Sequence, residues 1–237
     1  MLALDTKLHT KIAEHFSLEL ELVNIFHQFL KSNYNNSHLI ERELNCDFGI
    51  ADLVLFKTKR ITNNNINLSL ISPDWAYSLR KLTYRKIFST KDFSQLTNSS
   101  INSSQKALKE FSKAGYCEQF SVDTWRKNIQ PTLISDHIIS FEAKLKNWKR
   151  AIWQACRYKT FSNESWVILD YVNENPAVKN IQSFIDFNIG LASVTKSGEV
   201  RIHHKPKPEQ HHSDIALWKA NALIAKKCTN DERSRSH

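Results

Sequence analysis

Long apolar runs are missing from this 237-residue sequence. None reaches the roughly 18 apolar residues that a membrane-spanning helix needs. The opening MLALDTKLHTKIAEHF sets Asp5, Lys7 and Lys11 where a secretory leader would have its apolar stretch, so secretion is not expected. Cysteine is sparse. Cys46, Cys117, Cys156 and Cys228 lie far apart without a CxxC pair, which excludes a zinc ribbon and points to a reducing, cytoplasmic setting. No internal repeat is present. Acidic residues are the minority, 24 against 33 Lys+Arg, for a net charge of +9 and a pI near 9.3. That surplus invites nucleic acid or an anionic surface, without choosing between them. With 41% apolar and 24% charged residues, the chain has enough core for one elaborated domain or two small ones.

The charge is concentrated. Residues 75–130 hold ten Lys/Arg and four Asp/Glu, a net of +6. An A·T-rich genome would account for the NNNIN tract and the general wealth of Asn, Lys and Ile, but not for that concentration.

Residues 17–31, SLELELVNIFHQFLK, have helical spacing, with Ser17 as cap and Leu18, Leu22, Ile25/Phe26 and Phe29 on one face. Two strands follow at about 38–44 and 49–57 around the turn Cys46–Gly49, and INLSLI suggests another. WAYSLRKLTYRKIF then reads as a helix, STKDFSQL as a short helix capped by Ser89 or Thr90, and INSSQKALKEFSKAG as a third closed by Gly115. YCEQFSVDTW reads as a hairpin. This order is that of a winged helix-turn-helix. A strand (136–147), a helix (148–161), a strand (165–171) and helical residues 176–187 come next. A hairpin across Lys196–Gly198 and a closing helix, SDIALWKANALIAKK, complete the chain. The expected class is α/β, with the core over 1–72 and 131–228, the winged helix-turn-helix inserted at 73–130, and a basic tail over 229–237.

Strand alternation carries the chemistry. In ISFEAKLK, Ser140, Glu142 and Lys144 share one face, while Phe141, Ala143 and Leu145 form an apolar one. In the second strand Asp52 is the one charge on a face with Ile50, Val54 and Phe56. A lone buried carboxylate needs a partner. If the two strands pair, Asp52, Glu142 and Lys144 converge. Two carboxylates, the Ala143 carbonyl and waters suit Mg²⁺, with Mn²⁺ as substitute. Such a metal site, with Lys144 orienting or deprotonating water, is sufficient for hydrolysis of a phosphodiester.

On these residues the chain resembles the PD-(D/E)XK, or restriction-endonuclease-like, nuclease superfamily. The resemblance implies an αβββαβ core on a mixed sheet, with Asp52 on the second strand and Glu142-x-Lys144 on the third. The run ELELV (19–23) resembles the opening of archaeal Holliday-junction resolvases, which maps Glu19 onto the family's helix carboxylate, with Glu21 as rival. QACRY (154–158) is similar to the QxxxY element of the helicase-associated branch, giving Gln154 and Tyr158 a supporting role on substrate or metal waters. The resemblance covers about 17–57 and 136–172. It departs from the pattern in lacking a Pro before Asp52, and in the 90 residues separating Asp52 from Glu142.

The third helix of the insertion has Leu108 and Phe111 as core, with Ala107 and Ala114 at close helix contacts. Asn102, Ser103, Gln105, Lys106, Lys109 and Lys113 remain for an exposed face that suits base edges and phosphates. Arg80, Lys81, Arg85 and Lys86 add charge from the preceding helix. His203–His204 and His211–His212 read as surface histidines, and the six tryptophans as core. Asp136–His137 and Asp170 are further acids whose place in the site is open. The expectation is a Mg²⁺-dependent DNA endonuclease of restriction, phage defence, recombination or mobile-element biology. Double-strand cutting favours a homodimer, and partner proteins of a multi-subunit nucleic-acid machine also fit. The alternatives are a non-catalytic DNA-binding regulator or adaptor, and an RNA substrate.

Overall fold

The computed structural model describes residues 14–34, 37–58 and 61–235, with 230–235 by backbone alone. The charged opening over 1–13 lies outside the described residues, as do 236–237 of the expected tail. No helix among the described residues is long and apolar enough to cross a membrane.

Helix α1 (Glu19–Asn33) buries Leu22, Val23, Phe26 and Leu30. Its cap residue is Leu18, without a side-chain hydrogen bond; the Ser17 N–H donates to Glu21 Oε2 at 3.0 Å. The Ser17 hydroxyl therefore does not cap the helix; a first-turn carboxylate instead reaches back to the backbone ahead of it. Strands β1 (His38–Asn45) and β2 (Ile50–Thr58) pair antiparallel, and Asp47 at φ 74° with Gly49 at φ 123° turns the chain between them.

The expected strand over INLSLI is helical instead: α2 (Asn63–Ile66) runs into a 3₁₀ turn over Asn67–Leu70. Thr62 and Asn65 close a reciprocal capping box, which nucleates helix at that point. The asparagines serve the backbone, since Asn64 donates to the Gln130 carbonyl at 3.0 Å and Asn67 to that of Ala114 at 3.1 Å. The long helix expected from Trp75 is also corrected. Helix α3 (Ala76–Lys81) stops after six residues, and Ile87–Ser89 is strand β3. Helix α4 (Thr90–Thr97) is capped by Ser89, and α5 (Ile101–Lys113) by Ser100. Strands β4 (Cys117–Ser121) and β5 (Thr124–Lys127) form a hairpin, and β3 pairs with β5 to complete a three-stranded sheet.

Strand β6 (Ser135–Lys144) returns beside β2. Helix α6 (Trp148–Tyr158) crosses over to β7 (Glu164–Asp170), which lies parallel to β6. Two short helices, α7 (Asn175–Val178) and α8 (Ile181–Asp186), replace the single helical stretch expected at 176–187. Strands β8 (Gly190–Val194) and β9 (Val200–His204) form the expected hairpin. Helix α9 (Asp214–Arg235) continues past residue 229, where the sequence suggested a tail.

The class is α/β with a mixed sheet, ordered β1-β2-β6-β7-β8-β9. On one face α1 packs on Leu53, Leu55, Phe141, Ala143, Trp166 and Ile168. On the other, α6 covers Val167, Leu169 and Leu191. Further along that face, Val54 and Phe56 join a cluster containing Ala216, Leu217 and Trp218 of α9 and Phe93, Leu108 and Phe111 of the insertion. The segment between β2 and β6 therefore shares a core with the sheet. A large buried cluster of this kind supplies most of the stabilisation.

Candidate active site

The antiparallel register pairs Leu53 with Phe141 and Val54 with Ser140. One further step sets Asp52 opposite Glu142, where the ladder ends and the strands part. The Asp52 Oδ2 accepts the Ala143 N–H at 2.7 Å, so the carboxylate spans the gap where ladder pairing stops. Glu142 is 1% exposed and Lys144 half-buried. The Lys144 ammonium lies 2.8 Å from Glu142 Oε1, 3.1 Å from Glu19 Oε2 and 3.0 Å from the Ala143 carbonyl. It therefore gathers three of the four oxygen donors expected to bind a metal. Between the two candidates on α1, Glu19 reaches the site and Glu21 turns back to Ser17.

Helix α6 supplies the opposite wall. The Tyr158 hydroxyl lies 2.6 Å from Glu142 Oε2 and 2.7 Å from the Ile50 carbonyl. With one hydrogen, the phenol donates to only one of these oxygens at a time. Burial, then the Asp52 charge, raises the Glu142 pKa above its ordinary value, while the hydrogen bonds from Lys144 and Tyr158 oppose that rise. Gln154 hydrogen-bonds the Tyr158 hydroxyl, while its Oε1 is buried with no hydrogen-bond partner. Burial also raises Asp52, against the Ala143 N–H and Lys144, which lower it. For Lys144, burial favours the neutral amine, but Glu142, Asp52 and Glu19 outweigh it and hold the pKa above the ordinary lysine value. Lys144 is thus a cation here, which favours orienting over the deprotonating role also considered from sequence.

Among the described residues no group of three His, Cys, Asp or Glu is arranged to hold a metal ion. Physically, Glu142 has one oxygen on Lys144 and the other on Tyr158, and one Asp52 oxygen is taken by Ala143. The donor chemistry nevertheless suits a hard cation: two carboxylates and one carbonyl surround a positive charge already in place, the Lys144 ammonium, with the Asp52 carboxylate on the adjacent N–H. The orphaned Gln154 Oε1 offers a further acceptor, fitted to a water of such an ion.

The sequence missed Glu43. Position 43 falls out of the β1–β2 ladder between the pairs Arg42–Leu53 and Leu44–Ala51, opposite Asp52, at φ 53°, and its charge helps to raise Asp52. Its alternation with Glu41 was the available signal. Ser140, on the Glu142 face, joins a buried trio with Ser162 and Ser165 and lies outside the chemistry. Asp170 is also outside it, accepting the N–H groups of Phe16 and Val172. His137 pairs with Glu164 near the far end of β6 from Lys144, and His203 contacts Glu174 and Ser193. Trp153, read as core, is 60% exposed.

In the insertion, Leu108, Phe111, Ala107 and Ala114 are buried as expected. Asn102, Gln105, Lys106, Lys109 and Lys113 are exposed on α5, and Ser103 is half-buried, its N–H held by Ser100. Arg80 and Lys81 are exposed at the end of α3, whereas Arg85 and Lys86 sit in the turn after it. Two of the ten cations behave differently: Lys127 is fully buried, and Arg126 pairs with Glu118. No protein-family model, no curated protein and no solved structure matches the chain.

Proposed function

We propose that the protein is a Mg²⁺-dependent DNA endonuclease of the PD-(D/E)XK type, with a winged helix-turn-helix inserted between the second and third core strands. The observation that carries this reading is the cation position formed by Glu142, Glu19 and the Ala143 carbonyl around Lys144, with Asp52 on the adjacent N–H. The order α1-β1-β2-β6-α6-β7, with β6 and β7 parallel, supports the same family. The order β3-α4-α5-β4-β5, with β3 on β5, supports the winged helix. Asp52, Glu142, Glu19 and the Ala143 carbonyl would hold the ion. Its chemistry when bound is charge neutralisation on a phosphoryl group and acidification of a water.

The chain's own residues do the positioning. Lys144, kept protonated, donates hydrogen bonds to a phosphate oxygen or an approaching water. Tyr158 fixes Glu142, and Gln154 fixes Tyr158. Asp52 fixes the Ala143 backbone from which Glu142 and Lys144 project. The exposed lysines of α5 suit phosphates, and Asn102 and Gln105 suit base edges.

Plasmid nicking with Mg²⁺ or Mn²⁺ tests this. Wild type should cut, and Glu142→Ala and Lys144→Ala should each lose activity by about 100-fold or more. Equal cutting by all three preparations would assign the activity to a contaminant and remove the reading. A second reading, a non-catalytic DNA-binding regulator, is favoured by one observation: Lys144 and Tyr158 already engage both Glu142 oxygens. It requires salt-sensitive duplex binding, no cutting, and indifference to Asp52→Ala.

A further inference from the structure

Residues 144–159 hold six Lys/Arg and no Asp or Glu, a second cationic stretch outside the inserted module. On α6, Lys149 and Arg150 lie four and three residues before Trp153, and Arg157 four residues after it, so the four form one stripe. Lys149 and Arg150 are exposed, and the Trp153 side chain, 60% exposed, belongs to no buried cluster of the described residues. The Arg157 guanidinium lies 4.7 Å from the Trp153 ring centroid. That contact steadies the indole from one side and keeps a positive charge beside it.

The stripe borders the catalytic candidates. Gln154 follows Trp153 in the chain and Tyr158 follows Arg157, and these two neighbours reach Glu142 directly or through each other. The β1–β2 turn closes the same edge. A Cβ placed on Gly49 would stand 3.3 Å from Tyr158 Cε1 and 3.6 Å from Arg157 Cζ. Phe48, on that turn, is 42% exposed. An exposed aromatic ring, a guanidinium held against it, further cations along the helix and no acid among them is the chemistry that binds a single strand: rings take the base faces and cations take the phosphates. Inside a duplex the bases are stacked on each other and offer no base face to an indole, so that only the end pair of a blunt duplex competes with an unpaired base.

We infer that Trp153, braced by Arg157, stacks an unpaired nucleobase beside the scissile phosphate, so that the substrate is a nucleic acid with single-stranded character at the cut, such as an overhang, a flap or a branch. This deepens the nuclease reading and rests on it for the position of the cut; the binding step is measured separately. Fluorescently labelled DNA of two kinds is titrated without divalent metal, a blunt duplex and the same duplex with a single-stranded extension. Trp153→Ala should weaken the extended DNA by on the order of tenfold or more and leave the blunt duplex unchanged, and Trp153→Phe should retain most of the affinity. Equal loss on both DNAs, or no loss on either, overturns the proposal, whatever the nicking assay shows. Change of a wild-type dimer to monomer in Trp153→Ala, with DNA binding intact, also overturns it and gives the stripe to a second copy of the chain. Preferential nicking near the junction of the extended DNA would extend the result to the cut, and absence of all nicking would count against the nuclease reading alone.

Discussion

Asp52 is held at a cost. Burial, with the charges of Glu19 and Glu43, raises its pKa, and the Ala143 N–H and Lys144 only partly offset this. A carboxyl whose folded-state pKa lies above its unfolded value binds its proton more tightly in the fold. Its favourable contribution is therefore complete below the unfolded value and is lost as pH rises through the folded one. Asp52→Asn keeps an acceptor for the Ala143 N–H without the buried charge. The variant should melt a few degrees above wild type near neutral pH, and the difference should vanish as pH falls toward about 4. Scanning calorimetry of the pair across that range checks this, and a neutral-pH melting point below wild type would refute it. Under the proposed nuclease function the same variant should lose cleavage, since stability and function oppose each other at strained or charged sites. At this scale the site was legible where strand alternation alone decides a face, as for Asp52, Glu142 and Lys144. Glu43 was not, because its nearness to Asp52 depends on the β1–β2 register and a local break in the ladder. Nor was Trp153, because its helix position is compatible with core until the partners of α6 are known.

The end of α3 shows what local pattern cannot decide. WAYSLRKLTYRKIF has helical spacing throughout, yet the helix stops at Lys81. The Lys127 ammonium, from β5, donates to the carbonyls of Leu79, Arg80 and Leu82 at 2.9, 3.2 and 2.8 Å. A continuing helix would need those carbonyls for the N–H groups of residues 83, 84 and 86. The Arg85 N–H instead joins the Lys127 carbonyl at 2.8 Å, which aligns β3 with β5. The stop is thus imposed by a residue more than forty positions downstream. Helices α1, α5 and α6 and the hairpins were legible because their apolar spacing agrees with the faces they bury, whereas INLSLI lost to a capping box that apolar periodicity does not register. Burial lowers the Lys127 pKa to about 8. A depressed folded-state value means that the unfolded chain holds the proton more tightly, so wild-type stability should rise as pH climbs from about 8 toward the unfolded value. Lys127→Met strands three carbonyls and should cost about 3 kcal/mol at neutral pH, losing that rise as well. Urea melts of both proteins near neutrality and at about pH 9.5 test the two effects together.

For the molecule as a whole, the question is whether the inserted segment is a passenger or part of the body. Charge and element order suggest a detachable module, but the packing joins it to the sheet. Phe93 and Phe111 from the insertion, Leu68 and Ile71 from its approach, Ala216 and Trp218 from α9, and Val54 and Phe56 from β2 belong to one buried cluster. Lys219 of α9 reinforces the junction, with its ammonium 2.5 Å from Asp47 in the β1–β2 turn and 2.7 Å from Asp74 ahead of α3. A shared core makes the pieces unfold together, because neither can expose its side of the cluster without exposing the other's. Phe111→Ala, although placed on the helix proposed to face DNA, should therefore destabilise the entire protein by about 4 kcal/mol. It should lower a single calorimetric transition by on the order of 10 °C. Aromatic fluorescence, far-ultraviolet circular dichroism and the heat signal should shift in step. If only part of the heat signal moves, leaving a transition at the wild-type temperature, the insertion is an independent domain and its lysines can swing freely. A single transition instead ties the exposed face of α5 to the same body as Lys144, so that under the proposed function phosphates bound by one would fix where the other meets the strand.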